Sequence, residues 1–172
     1  QVAAGAALEY LLDTQKNSLD HITKIVPYRS GKYMIIDTST RRNLELLETL
    51  REKQKKGSLL WVLDKTRTAM GARLLRSFIE QPLIEKAEIL RRQDAIEELN
   101  SQYITREELI EYLNPIYDLE RLMGRISYQT ANPRDLIAFK NSLQMLPHIR
   151  KLLEELKAPL LASLLEELDP LE

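Results

Sequence analysis

Residues 58–83 read SLLWVLDKTRTAMGARLLRSFIEQPL, and residues 37–46 read DTSTRRNLEL. Both stretches are dense in features that shape helices, namely hydroxyl and carboxylate side chains suited to caps, and arginines interleaved with leucines. Thr68 predicts a cap for a helix over residues 69–80, which Pro82 ends because proline lacks the backbone N–H needed for continuation. Neither stretch carries a catalytic motif, so the most distinctive part of the chain predicts architecture.

The composition indicates an ordered protein rich in helix. The chain has 172 residues, enough for one domain with a hydrophobic core. Hydrophobic residues make up 44% and charged residues 30%, and the 5 glycines and 7 prolines are few. The net charge of −1 gives the chain as a whole no attraction for nucleic acid or an anionic membrane, so binding of either would need a local patch.

Several kinds of site and location are not expected. The chain has no cysteine, which excludes disulfides and thiolate chemistry, and its two histidines are too few for us to expect a zinc site. No apolar run reaches the roughly 18 residues that a membrane span needs, so we expect a cytoplasmic protein. The first residue is Gln1 rather than methionine, which suggests a piece of a longer chain.

The pattern along the chain predicts a single, mainly α domain over residues 1–172. It begins with a helix within residues 1–20. Two short apolar runs on either side of the sequence RSGK then predict a β-hairpin or strand pair within residues 25–37. Residues 38–172 are helical in pattern throughout. We therefore expect a multi-helical bundle with a short β element near the N-terminus.

Further helix starts carry their own signals. Thr105 followed by Glu108 predicts a capping box for a helix that runs through Leu113. The sequence NPRD at residues 132–135 combines a cap, a proline at the first helical position and a carboxylate near the positive end of a helix. Pro147 predicts a kink or the start of a new helix.

Motifs for catalysis or nucleotide binding are absent from the sequence. Gly31 and Lys32 lack the upstream glycine of a phosphate loop and are followed by Tyr33, and no metalloprotease or nucleophile-elbow motif occurs. Pairs of glutamates such as Glu97 and Glu98 are interpreted as solvated helix faces. We predict that this chain has no catalytic site, cofactor site or metal site of its own.

Basic residues are concentrated in the first half of the chain, between Arg41 and Arg76. One interpretation is a surface patch that faces phosphates. The other, which we favour, is an exposed turn together with arginines that pair within the fold. The candidate contacts to DNA phosphate are Arg41, Arg42, Lys53, Lys55 and Lys56. Aromatic residues do not alternate with them, so a stacking platform for single strands is not indicated.

Three ordered motifs resemble the family of bacterial DNA mismatch-repair proteins called MutS. They read D-x-x-T-x-R-N-L-E-L from Asp37, L-D-x-T-x-T-x-M-G-x-R-L-L-R from Leu63, and D-L-E-R-L from Asp118 followed by A-x-P-R-D-L from Ala131. The resemblance covers nearly the whole chain. It is to the core or lever domain of the family, the third domain, in the part that precedes the clamp, and it implies long lever-type helices.

The resemblance implies a structural hub made of motif residues. The helix that follows Thr68 would be its centre, with Gly71 allowing close approach of a second helix, and Arg73 and Arg76 bridging to neighbouring elements. The hub residues are Asp37, Thr40, Arg42, Asn43, Thr68, Gly71, Arg73, Arg76, Arg121, Pro133, Arg134 and Asp135.

The resemblance also implies a role within a larger machine. The core domain of the family links mismatch binding and the DNA clamp to an ATPase, so the longer protein would use ATP and Mg²⁺, bind mismatched duplex DNA, form a homodimer and engage a MutL-type partner. The clamp and the returning half of the core domain are not expected in this chain. We therefore expect the leucine stripe at residues 160–168 to be exposed.

Two other functions stay open from the sequence. The chain could be an autonomous duplex-DNA-binding module that uses the basic residues from Arg41 to Arg76. It could also be a helical adaptor that binds only proteins.

Overall fold

The computed structural model describes residues 2–15 and 30–169. The chain divides at Gly31 into two units, Gln1–Gly31 and Lys32–Glu172. In the first unit, helix α1 spans Val2–Gln15, as the sequence predicts. A single 3₁₀ turn covers Ser30–Lys32.

The described part of the second unit consists of helices and connecting loops, which confirms the mainly α fold. Short helices come first and longer ones follow. They are α2 (Thr38–Asn43), α3 (Leu59–Leu63), α4 (Ala69–Glu80), α5 (Lys86–Ser101), α6 (Tyr103–Leu113), α7 (Leu119–Ser127), α8 (Pro133–Leu143), α9 (Leu146–Leu153) and α10 (Pro159–Glu167).

The predicted β-hairpin is wrong. Residues 2–15 and 30–169 contain no strand, and the extended backbone at Tyr33 forms one isolated antiparallel bridge, to Leu83. The Met34 N–H donates to the Pro82 carbonyl at 2.8 Å. The hydrogen-bonding groups of this segment are therefore satisfied by the loop that ends α4, and the bridge is too short to make a sheet. The first predicted strand, at residues 25–28, lies outside the described residues.

Local cap signals account for several helix starts. The Thr68 hydroxyl accepts from the Gly71 N–H at 3.0 Å, which fixes the start of α4 where predicted. At α8 the predicted cap is present and extends to a full capping box, since Asn132 accepts from the Asp135 N–H at 2.9 Å and Asp135 accepts from the Asn132 N–H at 3.1 Å. Pro147 lies in the first turn of α9, so a new helix does begin there.

The predicted capping box at Thr105 is wrong. Helix α6 begins at Tyr103, two positions before Thr105, and its N-cap Gln102 makes no side-chain cap hydrogen bond. Only Gln102 separates α6 from α5, which ends at Ser101. Thr105 is buried inside the first turn of α6, and its side chain is therefore part of the packed interior rather than a cap.

The main core lies among α5, α6, α9 and α10, which pack against one another. A second, smaller cluster consists of Leu46, Leu60 and Ile79. Helix α4 contributes to both clusters, because Ile79 is buried in the small one while Met70 packs against the large one. The residues buried in the large cluster are Ala95, Leu109, Ile116, Ile149, Leu152, Leu153, Leu156, Ala158 and Leu161.

The leucine stripe of α10 is packed, so the expected exposed apolar strip is wrong. Leu161 is buried, and Leu160, Leu165 and Leu168 pack against the large cluster. Within this stripe only Leu164, with 45% of its surface accessible, is exposed. Helices α5 and α9 pack against α10. They supply the apolar surface that covers the leucine stripe, and the sequence alone does not reveal that surface.

Side chains from other helices hold both ends of α10. The Glu98 carboxylate on α5 accepts from the backbone N–H groups of Lys157 at 2.8 Å and Ala158 at 2.6 Å. At the other end, Arg150 on α9 donates to the Leu168 carbonyl at 2.6 Å. Both charges have the sign that the helix dipole favours. The interpretation of Glu98 as part of a solvated face is therefore wrong.

Candidate functional site

An ion-pair network joins the start of α7 to the exposed side of α4. Arg73 donates to both carboxylate oxygens of Asp118, from Nη1 at 2.7 Å and from Nη2 at 2.8 Å, and also pairs with Glu120. Asp118 has a second task, since it accepts from the Arg121 N–H at 3.3 Å as the N-cap of α7. This two-pronged pair is the strongest geometry available to an arginine and a carboxylate, and it fixes orientation as well as distance.

Electrostatics of the network follow from that geometry. The hydrogen bonds from Arg73 lower the pKa of Asp118 to about 2, and the backbone N–H of Arg121 acts in the same direction. Conversely, hydrogen bonds to Asp118 and then Glu120 raise the pKa of Arg73 above its ordinary value. Asp118 and Arg73 therefore stay charged throughout the physiological range.

A cavity of about 500 Å³ lies beside this network, along α7 and α8. Arg125 lines it and pairs with Asp135 at 2.7 Å, so Asp135 serves both this ion pair and the α8 cap. Arg134 also lines the cavity, and among the described residues its side chain has no hydrogen bond or ion pair. The sequence-predicted hub residues Arg121, Arg134 and Asp135 are thus brought together at one surface.

Two predicted roles for residues of α4 are wrong. A side chain at Gly71 would first meet Thr68 Oγ1 at 3.1 Å and Thr66 at 3.6 Å, both in the turn before the same helix, so the closest contacts at Gly71 are with the cap and not with a second helix. Arg76 pairs with Glu80 on its own helix at 3.2 Å and does not bridge elements by an ion pair. Of the two arginines, Arg73 alone makes the predicted bridge.

At the start of α2, the motif residues Asp37 and Thr40 form a local cap. The Asp37 carboxylate accepts from the Thr40 N–H at 2.8 Å and from the Thr40 hydroxyl at 2.7 Å. These hydrogen bonds lower the pKa of Asp37. The following motif residues, Arg42 and Asn43, are exposed.

A second cavity, of about 320 Å³, lies beside α2 and α4 and gathers three arginines. We refer to it as the arginine cavity. Its lining residues are Thr38, Arg41, Arg42, Leu47, Glu48 and Arg76. Arg41 and Arg42 are candidate phosphate contacts from the sequence, whereas Arg76 joins them only through the fold.

The predicted lysine contacts lie elsewhere. Lys55 forms an ion pair with Asp64. Its hydrogen bond, followed by that of Thr66, lowers the pKa of Asp64 to about 2. Lys53 and Lys56 are exposed and have no ion-pair partner among the described residues. Of the five candidate phosphate contacts, Arg41 and Arg42 line the arginine cavity and the three lysines do not.

The described residues offer neither a cluster for a metal ion nor a helix that could span a membrane. Residues 2–15 and 30–169 hold no cluster of three or more His, Asp or Glu side chains suited to a metal ion. His148 stacks on Tyr112, with ring centroids 4.9 Å apart and planes 7° from parallel. Among those same residues, no helix has the length and apolar character to cross a bilayer.

Comparison with known proteins agrees with the arrangement of these motifs. Residues 39–171 match the family model described as MutS domain III. The chain belongs to the MutS domain III family. The motif residues that bring α4 and α7 together, Arg73 and Asp118, both lie inside the matched region.

Three relatives of this MutS domain III chain are each described as DNA mismatch repair protein MutS. The chain is 68% identical to that of Lachnoclostridium phytofermentans over 170 residues, which are 99% of this chain and 18% of the relative. It is 54% identical to that of Ruminiclostridium cellulolyticum and 52% identical to that of Alkaliphilus oremlandii, in each case over 99% of this chain and 20% and 19% of the relative. The chain thus spans about a fifth of the length of the relatives it matches.

Proposed function

We propose that this chain is the helical core segment of a DNA mismatch-recognition protein, and that it links the DNA-binding parts of the longer protein to its ATPase. The family and the descriptions of its relatives support this proposal. The observation that carries it is the position of α4, which packs into both hydrophobic clusters and is tied to α7 through Arg73 and Asp118.

An element of this kind can transmit a change of state without doing chemistry. Coupling between two distant sites requires a contact that differs between their states, and packed helices with directional ion pairs meet that requirement. If α4 shifted relative to α7, the two hydrogen bonds between Arg73 and Asp118 would either both break or both be kept. In the longer protein, which we place in the cytoplasm, ATP and Mg²⁺ would bind to the ATPase. The longer protein would also bind mismatched duplex DNA, form a homodimer and engage a MutL-type partner.

The two alternative functions receive less support. In an autonomous duplex-binding module the basic residues between Arg41 and Arg76 would be free for phosphates, yet Lys55, Arg73 and Arg76 all pair with carboxylates. A helical adaptor that binds only proteins receives no support from the leucine stripe of α10, because that stripe is packed within the chain.

A chimera tests the proposal. This segment would replace its counterpart in the MutS of Lachnoclostridium phytofermentans, which is 68% identical, and Arg73→Gln would be introduced. We expect the variant to bind a mismatched duplex and to hydrolyse ATP, while ATP releases it from the duplex at least about tenfold more slowly, the effect of about 1.4 kcal/mol of lost coupling.

The matched control is Arg67→Gln, because Arg67 is exposed and has no ion-pair partner among the described residues. This control removes the same charge and should leave release unchanged. Unchanged release in a folded Arg73→Gln chimera would show that α4 and α7 do not carry the coupling.

A further inference from the structure

The arginine cavity has the properties of an anion site. We propose that it binds a single phosphate group, carried either by a nucleic-acid backbone or by a free phosphate ester. This inference concerns the chain's own cavity and does not rest on the coupling role proposed above.

Arg41 is fixed in place before any ligand arrives. Its Nε–H donates to the Ile36 carbonyl at 3.0 Å, and the side chain is partly buried. The terminal amino groups have no ion pair among the described residues, so they remain available for an anion at the cavity. A guanidinium oriented in this way loses less conformational entropy on binding than a free side chain does.

The charge balance of the cavity favours an anion. The Arg42 side chain has no hydrogen bond or ion pair within the described residues, and Arg76 is engaged at one edge by Glu80 at 3.2 Å. Among the described residues that line the cavity or pair with its arginines, these three guanidinium groups face two carboxylates, Glu48 and Glu80, which gives a balance of 3 − 2 = +1. Like charges brought together repel one another, and a bound anion relieves that repulsion.

The arrangement of donors fits phosphate better than carboxylate. One guanidinium satisfies the two coplanar oxygens of a carboxylate, whereas donors that come from separate helices can reach the several oxygens of a tetrahedral anion. Here Arg41 and Arg42 come from α2 and Arg76 comes from α4, and the Thr38 hydroxyl adds a further donor. The volume of about 320 Å³ leaves room for a phosphate with several waters, since a water occupies about 30 Å³ in the liquid.

The carboxylate of Glu48 on the wall limits the arginine cavity to one phosphate. Lys55 and Arg73 are paired with carboxylates outside the cavity, and Glu48 on the cavity wall would repel a second phosphate of the same strand. A duplex bound through this site alone should therefore show a salt dependence that reflects about one phosphate contact.

Titration of the purified chain with inorganic phosphate, followed by calorimetry at constant ionic strength, tests the site. Arg42→Gln is the informative variant, because the Arg42 side chain is exposed and makes no hydrogen bond or ion pair among the described residues. We expect it to weaken phosphate binding at least about tenfold, which is the loss of one charge-assisted hydrogen bond. Arg42→Lys, which keeps the charge but not the planar fork, should give an intermediate loss.

Arg51→Gln is the charge-matched control. Arg51 is exposed, lies outside the cavity and has no ion-pair partner among the described residues, so its variant should bind phosphate within about twofold of the original chain, since it loses only long-range, screened charge. The proposal is wrong if the original chain, with its helicity checked by circular dichroism, does not bind phosphate in the millimolar range. It is equally wrong if Arg51→Gln weakens binding as much as Arg42→Gln.

Two further titrations identify the source of the phosphate. If a short DNA duplex binds and Arg42→Gln lowers the slope of log affinity against log salt by about one, the ligand is the nucleic-acid backbone. If Arg42→Gln weakens binding of a nucleoside monophosphate and leaves the duplex slope unchanged, the ligand is a free phosphate ester. Both results support the site, and neither depends on how the longer protein couples ATP to DNA.

Discussion

Arg73 and Asp118 stand 45 positions apart in the sequence and form a pair in which two N–H groups meet two carboxylate oxygens at 2.7 and 2.8 Å. The same carboxylate caps α7. The side chain of Arg73 on α4 thereby holds the residue that caps α7. Because Asp118 has both roles, a substitution at this position can remove the ion pair and keep the cap.

Asp118→Asn should destabilise the fold less than Asp118→Ala. Asparagine is as good an N-cap as aspartate, so the first change removes the charge partner of Arg73 and keeps the cap, while the second removes both. Urea denaturation of the two variants, with Arg73→Gln and each double mutant, would measure the coupling.

The cycle has a clear expectation. Arg73→Gln should destabilise either Asp118 variant less than it destabilises the original chain, because only the exposed pair with Glu120 is left to lose. Independent, additive losses would mean that the two-pronged pair contributes nothing to stability. Arg67→Gln again serves as the control for a change of net charge alone.

Stability should fall in acid because of two carboxylates. The pKa of Asp118 and that of Asp64 are each lowered from 3.8 to about 2 in the folded chain. A carboxyl group with a lowered folded-state pKa stabilises the fold above its unfolded pKa, and this contribution is lost as the pH falls through the folded value. The decline attributable to these residues should therefore lie between about pH 4 and pH 2.

Urea midpoints measured across that range provide the readout. The curve of Asp118→Asn should decline less steeply than that of the original chain between pH 4 and pH 2 and lie parallel to it above pH 5, where Asp118 is fully ionised in both the folded and the unfolded state. Parallel curves over the whole range would show that Arg73 does not lower the pKa of Asp118 as described.

The fold was predictable where its causes are local. The cap at Thr68 and the box at residues 132–135 use side chains within three residues of the backbone groups that they satisfy, and both helices begin as predicted. Thr105 shows the limit of such signals. It matches the same pattern, but the short link at Gln102 starts α6 earlier and Thr105 is packed inside.

The site was predictable only in part, because it depends on contacts between distant residues. Arg41 and Arg42 were identified through their clustering in sequence, whereas Arg76 reaches the same cavity through the packing of α4. Glu98 contacts α10 across 60 positions, and nothing near it in sequence distinguishes it from Glu97. The failed β-hairpin has the same origin, since the partner of Tyr33 is Leu83.

Ser142 is expected to contribute to stability well beyond its size. It is fully buried, accepts from the Tyr117 N–H at 3.0 Å and donates to the Ala138 carbonyl at 2.8 Å. Ser142→Ala leaves the partly buried Tyr117 N–H without its acceptor, and a donor that loses its partner in this way costs about 1–3 kcal/mol. Urea denaturation should show this loss in the free energy of unfolding.

Ser77→Ala is the control, since that serine is exposed and donates only to the Leu74 carbonyl of its own helix, at 2.7 Å. Its effect should stay within about 0.5 kcal/mol. Equal effects of the two substitutions would mean that the Tyr117 N–H finds another acceptor when Ser142 is lost.

Glu98 should stabilise α10 although it belongs to α5. Its two oxygens accept from the Lys157 and Ala158 N–H groups, at the end of α10 where Ala158 provides no side-chain cap. Glu98→Ala removes both acceptors and should cost about 1–3 kcal/mol in the free energy of unfolding, since a partly buried donor loses its partner. Glu98→Gln keeps one acceptor oxygen, so about 1 kcal/mol is expected for it.

The side chain of the adjacent Glu97 is exposed and has no hydrogen-bond or ion-pair partner in the described part of the chain. Glu97→Gln therefore removes an equal charge from the same turn and should change the free energy of unfolding by less than about 0.5 kcal/mol. If the two glutamine variants unfold at the same urea concentration, the cap at α10 is worth nothing in solution. If Glu98→Gln alone is destabilised, hydrogen exchange should locate the added opening at the first turn of α10.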